Sequence, residues 1–329
     1  MRLRGRTTIP RLEVILANYL RGNSLFEWID RVTLETLRKV GQGDPPIEVS
    51  GELLRSRRIE SVDFVRSLPE RARLEVHGNK FAVKIDSRFS RSIRWKRFLL
   101  AHELAHTFFY EIDADPIRTA LILRPGDAAL EWLCSYIAKC LLMPTGALQN
   151  IFRSEGMETG TLDLAVLLKL SQRFQLPWSI VAERLVEDTG LWQAILLYWH
   201  LDASRNSTWR LVWQAVPGFL PNNLFIPIGR RQPSGEMLYP RARGRLPELL
   251  NELAASEGTD ARPLLRVADL KIGNLQKIVE GNQDFRAKVD WLLFGRDRSG
   301  NFDWAEPQKP KSILIAVILS ESTAAGISS

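Results

Sequence analysis

Cysteine is nearly absent from this chain: Cys134 and Cys140 are the only two among 329 residues. Six positions apart on one helix, they would point in different directions and could not bridge. No disulfide framework is implied, and a reducing cytoplasm fits best. Long hydrophobic runs are also missing. The longest near the C-terminus, ILIAVIL at 313–319, is far short of the ~20 residues that span a bilayer. The N-terminus, MRLRGRTTIPRLEVILANYL, is basic but has no long apolar stretch ending in a small-residue cleavage site. The expectation is a soluble cytoplasmic protein without a membrane association. Charge of one sign is not strongly in excess either, with 45 Lys+Arg against 38 Asp+Glu giving +7. Such a balance permits contact with nucleic acid or an acidic partner without requiring it.

What is present is an ordinary globular composition, 45% hydrophobic and 25% charged, with length enough for two or three modest domains. Two helices are expected over 11–40, parted at Gly22-Asn23, with Ser24 and Glu27 at a capping-box spacing. A short helix is expected at 60–68. RARLEVHGNKFAVKID reads as a β-hairpin: Leu74, Val76, Phe81, Val83 and Ile85 fall at alternate positions around a Gly78-Asn79 turn. A helix is expected over about 92–111 and another over about 128–142, the second capped by Asp127 and closed by Pro144 and Gly146. Residues 161–189 read as helical. From about 192 the pattern turns to strands, in WQAILLYWHLDAS, TWRLVWQAV and NLFIPIG, with later helices near 246–256 and 264–280 and strands near 289–295 and 312–320.

Histidine is scarce, at four in the chain, yet two of them share the stretch LLAHELAHTFFYE. His102 and His106 stand one helical turn apart, so their imidazoles can aim at a common point. Glu103, beside the first, can lie over a metal held there and take a proton from the attacking water. This is the H-E-x-x-H pattern of metallopeptidases. The helix around it is apolar nearly all round, so two imidazoles and a carboxylate within it need partners. A catalytic zinc (Zn2+) usually takes three protein ligands. Glu131, 25 residues beyond His106 near the start of the following helix, can supply the third. Glu111, Asp113, Asp115 and Asp127 are competing carboxylates; the first three are too close to His106 to fold back easily, and Asp127 serves better as a cap. Tyr110 and Tyr136 are weak candidates for the donor that stabilises an oxyanion. Cys134 shares the face of Glu131 and reads as a small buried residue; His77 reads as exposed and His200 as belonging to another domain.

The run RFLLAHELAHTFFYE, followed by Glu131-Trp-Leu-Cys134-Ser and a Leu-Leu-Met-Pro ending at 141–144, resembles the ImmA/IrrE family of metallo-endopeptidases, gluzincin-like enzymes. The resemblance covers roughly residues 60–190. It implies His102, His106 and Glu131 as zinc ligands and Glu103 as the catalytic residue. Ser135 stands where the family pattern usually has Asn, and Ala105 where Gly is common. By the same resemblance the substrate would be a helix-turn-helix repressor of the XRE/Cro type, whose cutting would derepress stress or mobile-element genes.

LSQRFQLPWSIVAERLVEDTGL resembles a helix-turn-helix, with Leu170, Phe174, Leu176, Ile180, Val181 and Leu185 as its small core. Its second helix offers Arg184 against Glu183, Glu187 and Asp188, so DNA binding by the chain itself is not expected. The basic loop containing Arg230, Arg231, Arg241, Arg243 and Arg245 reads as solvated. The expected class is α+β. Residues 1–150 would form a mostly helical zinc-peptidase domain with a small sheet, 151–190 a helix-turn-helix-like module, and 191–329 an α+β regulatory domain, GAF-like by analogy with some family members. The alternative is a non-proteolytic transcription regulator or binding protein that keeps the metallopeptidase fold.

Overall fold

A computed structural model describes Leu16, Leu20 and residues 24–119, 127–156, 164–202, 208–217, 230–231, 237–238, 240–255, 287–294 and 312–319. The fold is mixed α+β and divides into two compact units, one of Met1–Gly156 with Leu168–Arg184, the other of Met157–Leu167 with Leu185–Ser329. Most of the helix expected before Gly22, the NLFIPIG strand and the helix near 264–280 lie outside the described residues. Among the described residues no helix is long and apolar enough to cross a membrane.

In the first unit, helix α1 (Leu25–Lys39) starts at the expected capping box. The Ser24 amide donates to the Glu27 carboxylate and the Glu27 amide donates to Ser24 Oγ, at 2.9 and 3.3 Å. A short helix α2 (Gly51–Arg55) follows, then β1 (Ile59–Val65), β2 (Ala72–His77) and β3 (Lys80–Asp86). β2 and β3 are the expected hairpin, paired His77 to Lys80 across Gly78-Asn79. Gly78 has φ +63°, a conformation that favours glycine at the first central position of a two-residue turn.

The short helix expected at 60–68 is instead strand β1. It pairs parallel to β3, giving the order β1-β3-β2. Ile59, Val62, Phe64 and Val65 are β-formers, and the open edge of β3 supplies the backbone partners. Only Ile59 of the seven residues is fully buried, so neither face shows the alternation that marks a half-buried strand.

Helix α3 (Ile93–His106) and helix α4 (Ala128–Leu142) pack together in one core with α1 and the hairpin. Asp127 caps α4 as expected, accepting from the Ala129 amide at 2.8 Å. α3 ends at His106, short of the expected 111. A single 3-10 turn (Thr107–Phe109) and two short paired strands, β4 (Tyr110–Glu111) and β5 (Arg118–Thr119), follow. The cause lies far off in sequence. Arg57 donates to the Thr107 carbonyl at 2.7 Å and to Thr107 Oγ1 at 3.0 Å, and its guanidinium stacks 4.5 Å from the Phe108 ring centre. A cation at a helix C-terminus satisfies carbonyls that have no partner within the helix.

Pro144 opens helix α5 (Thr145–Ser154) as well as closing α4. Helices α6 (Leu164–Phe174) and α7 (Trp178–Glu183) occupy the helix-turn-helix-like stretch. All six residues expected in its core are buried. Arg184 is buried too, donating to Thr145 Oγ1 at 2.9 Å. It joins α7 to the α4–α5 junction and is not on an outward face.

The second unit holds an antiparallel sheet of order β10-β11-β6-β7, formed by β6 (Ala194–Asp202), β7 (Thr208–Ala215), β10 (Ala287–Phe294) and β11 (Ser312–Leu319). A separate two-stranded piece joins β8 (Arg230–Arg231) to β9 (Met237–Leu238). Alternate residues Ile195, Leu197, Trp199, Ile313, Ile315 and Val317 form one core with helix α8 (Leu246–Ala255). His200 is on β6, its Nδ1 2.8 Å from Ser312 Oγ. Arg241, Arg243 and Arg245 are exposed, but the stretch expected as one basic loop contains strand β8 and a bridge from Arg241 to Arg210 on β7.

Candidate metal centre

Three side chains from two helices converge in the first unit. His102 and His106 project from the last turns of α3, and Glu131 from the first turn of α4. His102 Nε2 lies 3.1 Å from Glu131 Oε2, and 3.3 Å from His106 Nε2; His106 Nε2 lies 3.7 Å from Glu131 Oε1. A tetrahedral ion with bonds of about 2.0–2.1 Å has donor-to-donor edges of about 3.3 Å. The three spacings surround that value, so this donor set could hold a metal ion. Both imidazoles are largely buried, and burial followed by the neighbouring His102 holds His106 below its usual pKa. A neutral ring is the form that ligates a metal.

Glu103 is 4% exposed and stands outside the trio. Burial raises its pKa to about 7; His102 and a hydrogen bond from the backbone N–H of Leu74 on β2 oppose that rise, while the Glu131 charge adds to it. Four of the sequence candidates are therefore brought to one place, three as donors around a point and the fourth beside them.

The tyrosines part company. Tyr136 is buried, stacked on Trp132 with ring centres 5.5 Å apart and 5.2 Å from Phe26. It lies roughly 140° round α4 from Glu131. Tyr110 is half-buried in β4 with its ring edge-on to Phe81 at 5.1 Å, and burial together with the Cys134 thiol raises its pKa. His77 is exposed beside Glu75, and His200 belongs to the second unit.

Two neighbours of the trio carry polar contacts that the sequence did not suggest. Cys134 Sγ lies 3.3 Å from His106 Nδ1, and Ser135 Oγ lies 3.2 Å from His102 Nδ1. Both contacts fall on the ring nitrogens away from the convergence point. The thiol is fully buried, and burial raises its pKa well above the ordinary value, so it stays protonated.

Residues 91–186 match the family model Peptidase_M78, described as the IrrE N-terminal-like domain. The match takes in both histidines, Glu103, Glu131 and the α6–α7 stretch, and covers less than a third of the chain. A solved structure, a Mycobacterium tuberculosis transcriptional regulator, is similar at 12% identity with a TM-score of 0.41, covering 97% of this chain and 96% of that one. No curated protein sequence matches the chain.

Proposed function

We propose that this protein is a zinc-dependent endopeptidase whose substrate is a helix-turn-helix repressor of the XRE/Cro type. The observation that carries the peptidase reading is the convergence of His102, His106 and Glu131 with a buried Glu103 beside them. Two imidazoles and one carboxylate form a donor set used by catalytic zinc, with a fourth position left open. Zinc held by His102, His106 and Glu131 would supply Lewis-acid chemistry.

The chain's own residues do the rest. Glu103, buried beside the trio, takes the proton as water adds to the carbonyl carbon. The same carboxyl then hands that proton to the amine as the C–N bond breaks. The Leu74 N–H fixes the carboxylate's direction from β2. β2 is one of the two outer strands of its sheet, and an extended substrate segment adds along that edge. Of the two tyrosines, Tyr110, which lies near Cys134, is the one taken to donate to the oxyanion. The second unit serves as a GAF-like regulatory domain.

The test is co-expression with the XRE-type repressor encoded nearest the gene, comparing wild type with Glu103→Ala by mass spectrometry of the repressor. One discrete cut, absent with the variant, is the expected result. An intact repressor in both, with metal bound, would favour a non-proteolytic regulator that keeps the fold.

A further inference from the structure

We infer that Ser135 and Cys134 are positioning residues that hold the outer nitrogens of the two histidines, so that helix α4 supplies both a ligand and the supports of the other two. The inference rests on the reading of the trio as a metal centre. When an imidazole binds a metal through Nε2, the neutral ring keeps its proton on Nδ1, and that N–H needs an acceptor. Each histidine has one at hand. Ser135 Oγ stands 3.2 Å from His102 Nδ1 and Cys134 Sγ stands 3.3 Å from His106 Nδ1.

The helical repeat explains how one element does this. Positions 131, 134 and 135 are related as i, i+3 and i+4, so all three side chains lie on one face of α4, towards the end of α3. Glu131 reaches the inner nitrogens, while its two companions pass to either side and meet the outer ones.

The supports differ in strength. A hydroxyl oxygen is a good acceptor; a thiol sulfur is a weak one. His102 is therefore held in tautomer and orientation more firmly than His106. Loss of an outer partner of a metal-ligating histidine commonly costs 10–100-fold in metal affinity. Ser135→Ala is expected to weaken zinc binding by about that factor. Cys134→Ala should cost less than Ser135→Ala. Ser135→Thr, which keeps the hydroxyl, should restore binding to near the wild-type level.

The experiment uses the full chain. Zinc affinity is measured by competition with a chromophoric chelator for wild type, Ser135→Ala, Ser135→Thr and Cys134→Ala. In parallel, 15N-histidine labelling reports the ring tautomers of the zinc-loaded proteins, a tractable spectrum because the chain has four histidines. The expected signature is an Nδ1–H ring at His102 that loses definition in Ser135→Ala and regains it in Ser135→Thr. Unchanged affinity and an unchanged His102 signal in Ser135→Ala would overturn the inference while leaving the metal centre intact. A wild-type protein that takes up no zinc would overturn the metal reading, and this inference with it.

Discussion

Glu103→Gln is expected to lower the rate of peptide cleavage by about 10²–10⁴-fold, the usual worth of a general base, while metal binding stays near the wild-type level. The two halves of that expectation come from different parts of the geometry. The carboxyl of Glu103 stands outside the His102, His106 and Glu131 trio, so its replacement removes no donor. The amide of Gln has the same shape, and its oxygen can still accept from the Leu74 N–H. It cannot take a proton from water. Initial rates on the cleaved repressor, read beside metal content, check both halves. A variant that cuts at the wild-type rate would assign the base to another group.

The same substitution should change stability in the opposite sense, and the effect should depend on pH. Glu103 is pushed up to about 7 from an ordinary value near 4.5, first of all by burial. A raised carboxyl pKa means that the folded state binds the proton more tightly than the unfolded one between those values. Its stabilising contribution is complete below about pH 4.5 and is lost as pH rises through 7. A shift of this size corresponds to about 3 kcal/mol. Chelator-treated Glu103→Gln should therefore gain stability relative to chelator-treated wild type by about that amount between pH 4.5 and pH 8. His106, held below its usual pKa, works the other way as pH falls below its ordinary 6.5, but it is common to both proteins and largely cancels. Added zinc should narrow the gap, because a cation beside a carboxylate favours its charged form. Chemical unfolding at several pH values measures this. A difference between variant and wild type that stays flat with pH would show that Glu103 is not desolvated.

Much of this site could be read from spacing alone. His102 and His106 share a face because they are four apart, and the apolar residues around them imply a buried helix that needs polar partners. Glu131 follows from a second helix whose start Asp127 marks. The capping box at Ser24 and the hairpin at Gly78-Asn79 are equally local signals, and the structure places both where expected. The misreadings are of another kind. β1 is a strand because β3 offers it an edge, and its own burial pattern carries no period. α3 stops at His106 because Arg57, fifty residues earlier, takes the Thr107 carbonyl. Arg184 looked like a cation available at a helix surface and is instead sealed against the α4–α5 junction. Ser135 reads as a departure from the family pattern with no chemical consequence until the His102 ring is in place beside it. Each of these depends on which elements pack together, and no window of sequence contains that information.

The central claim is that His102, His106 and Glu131 form one metal centre. Metal content by elemental mass spectrometry, after dialysis against limiting zinc, tests it most directly in wild type and Glu131→Ala. The account expects one zinc per wild-type chain and well under one in the variant, with both proteins folded. Equal zinc in the two, or none in either, would contradict it.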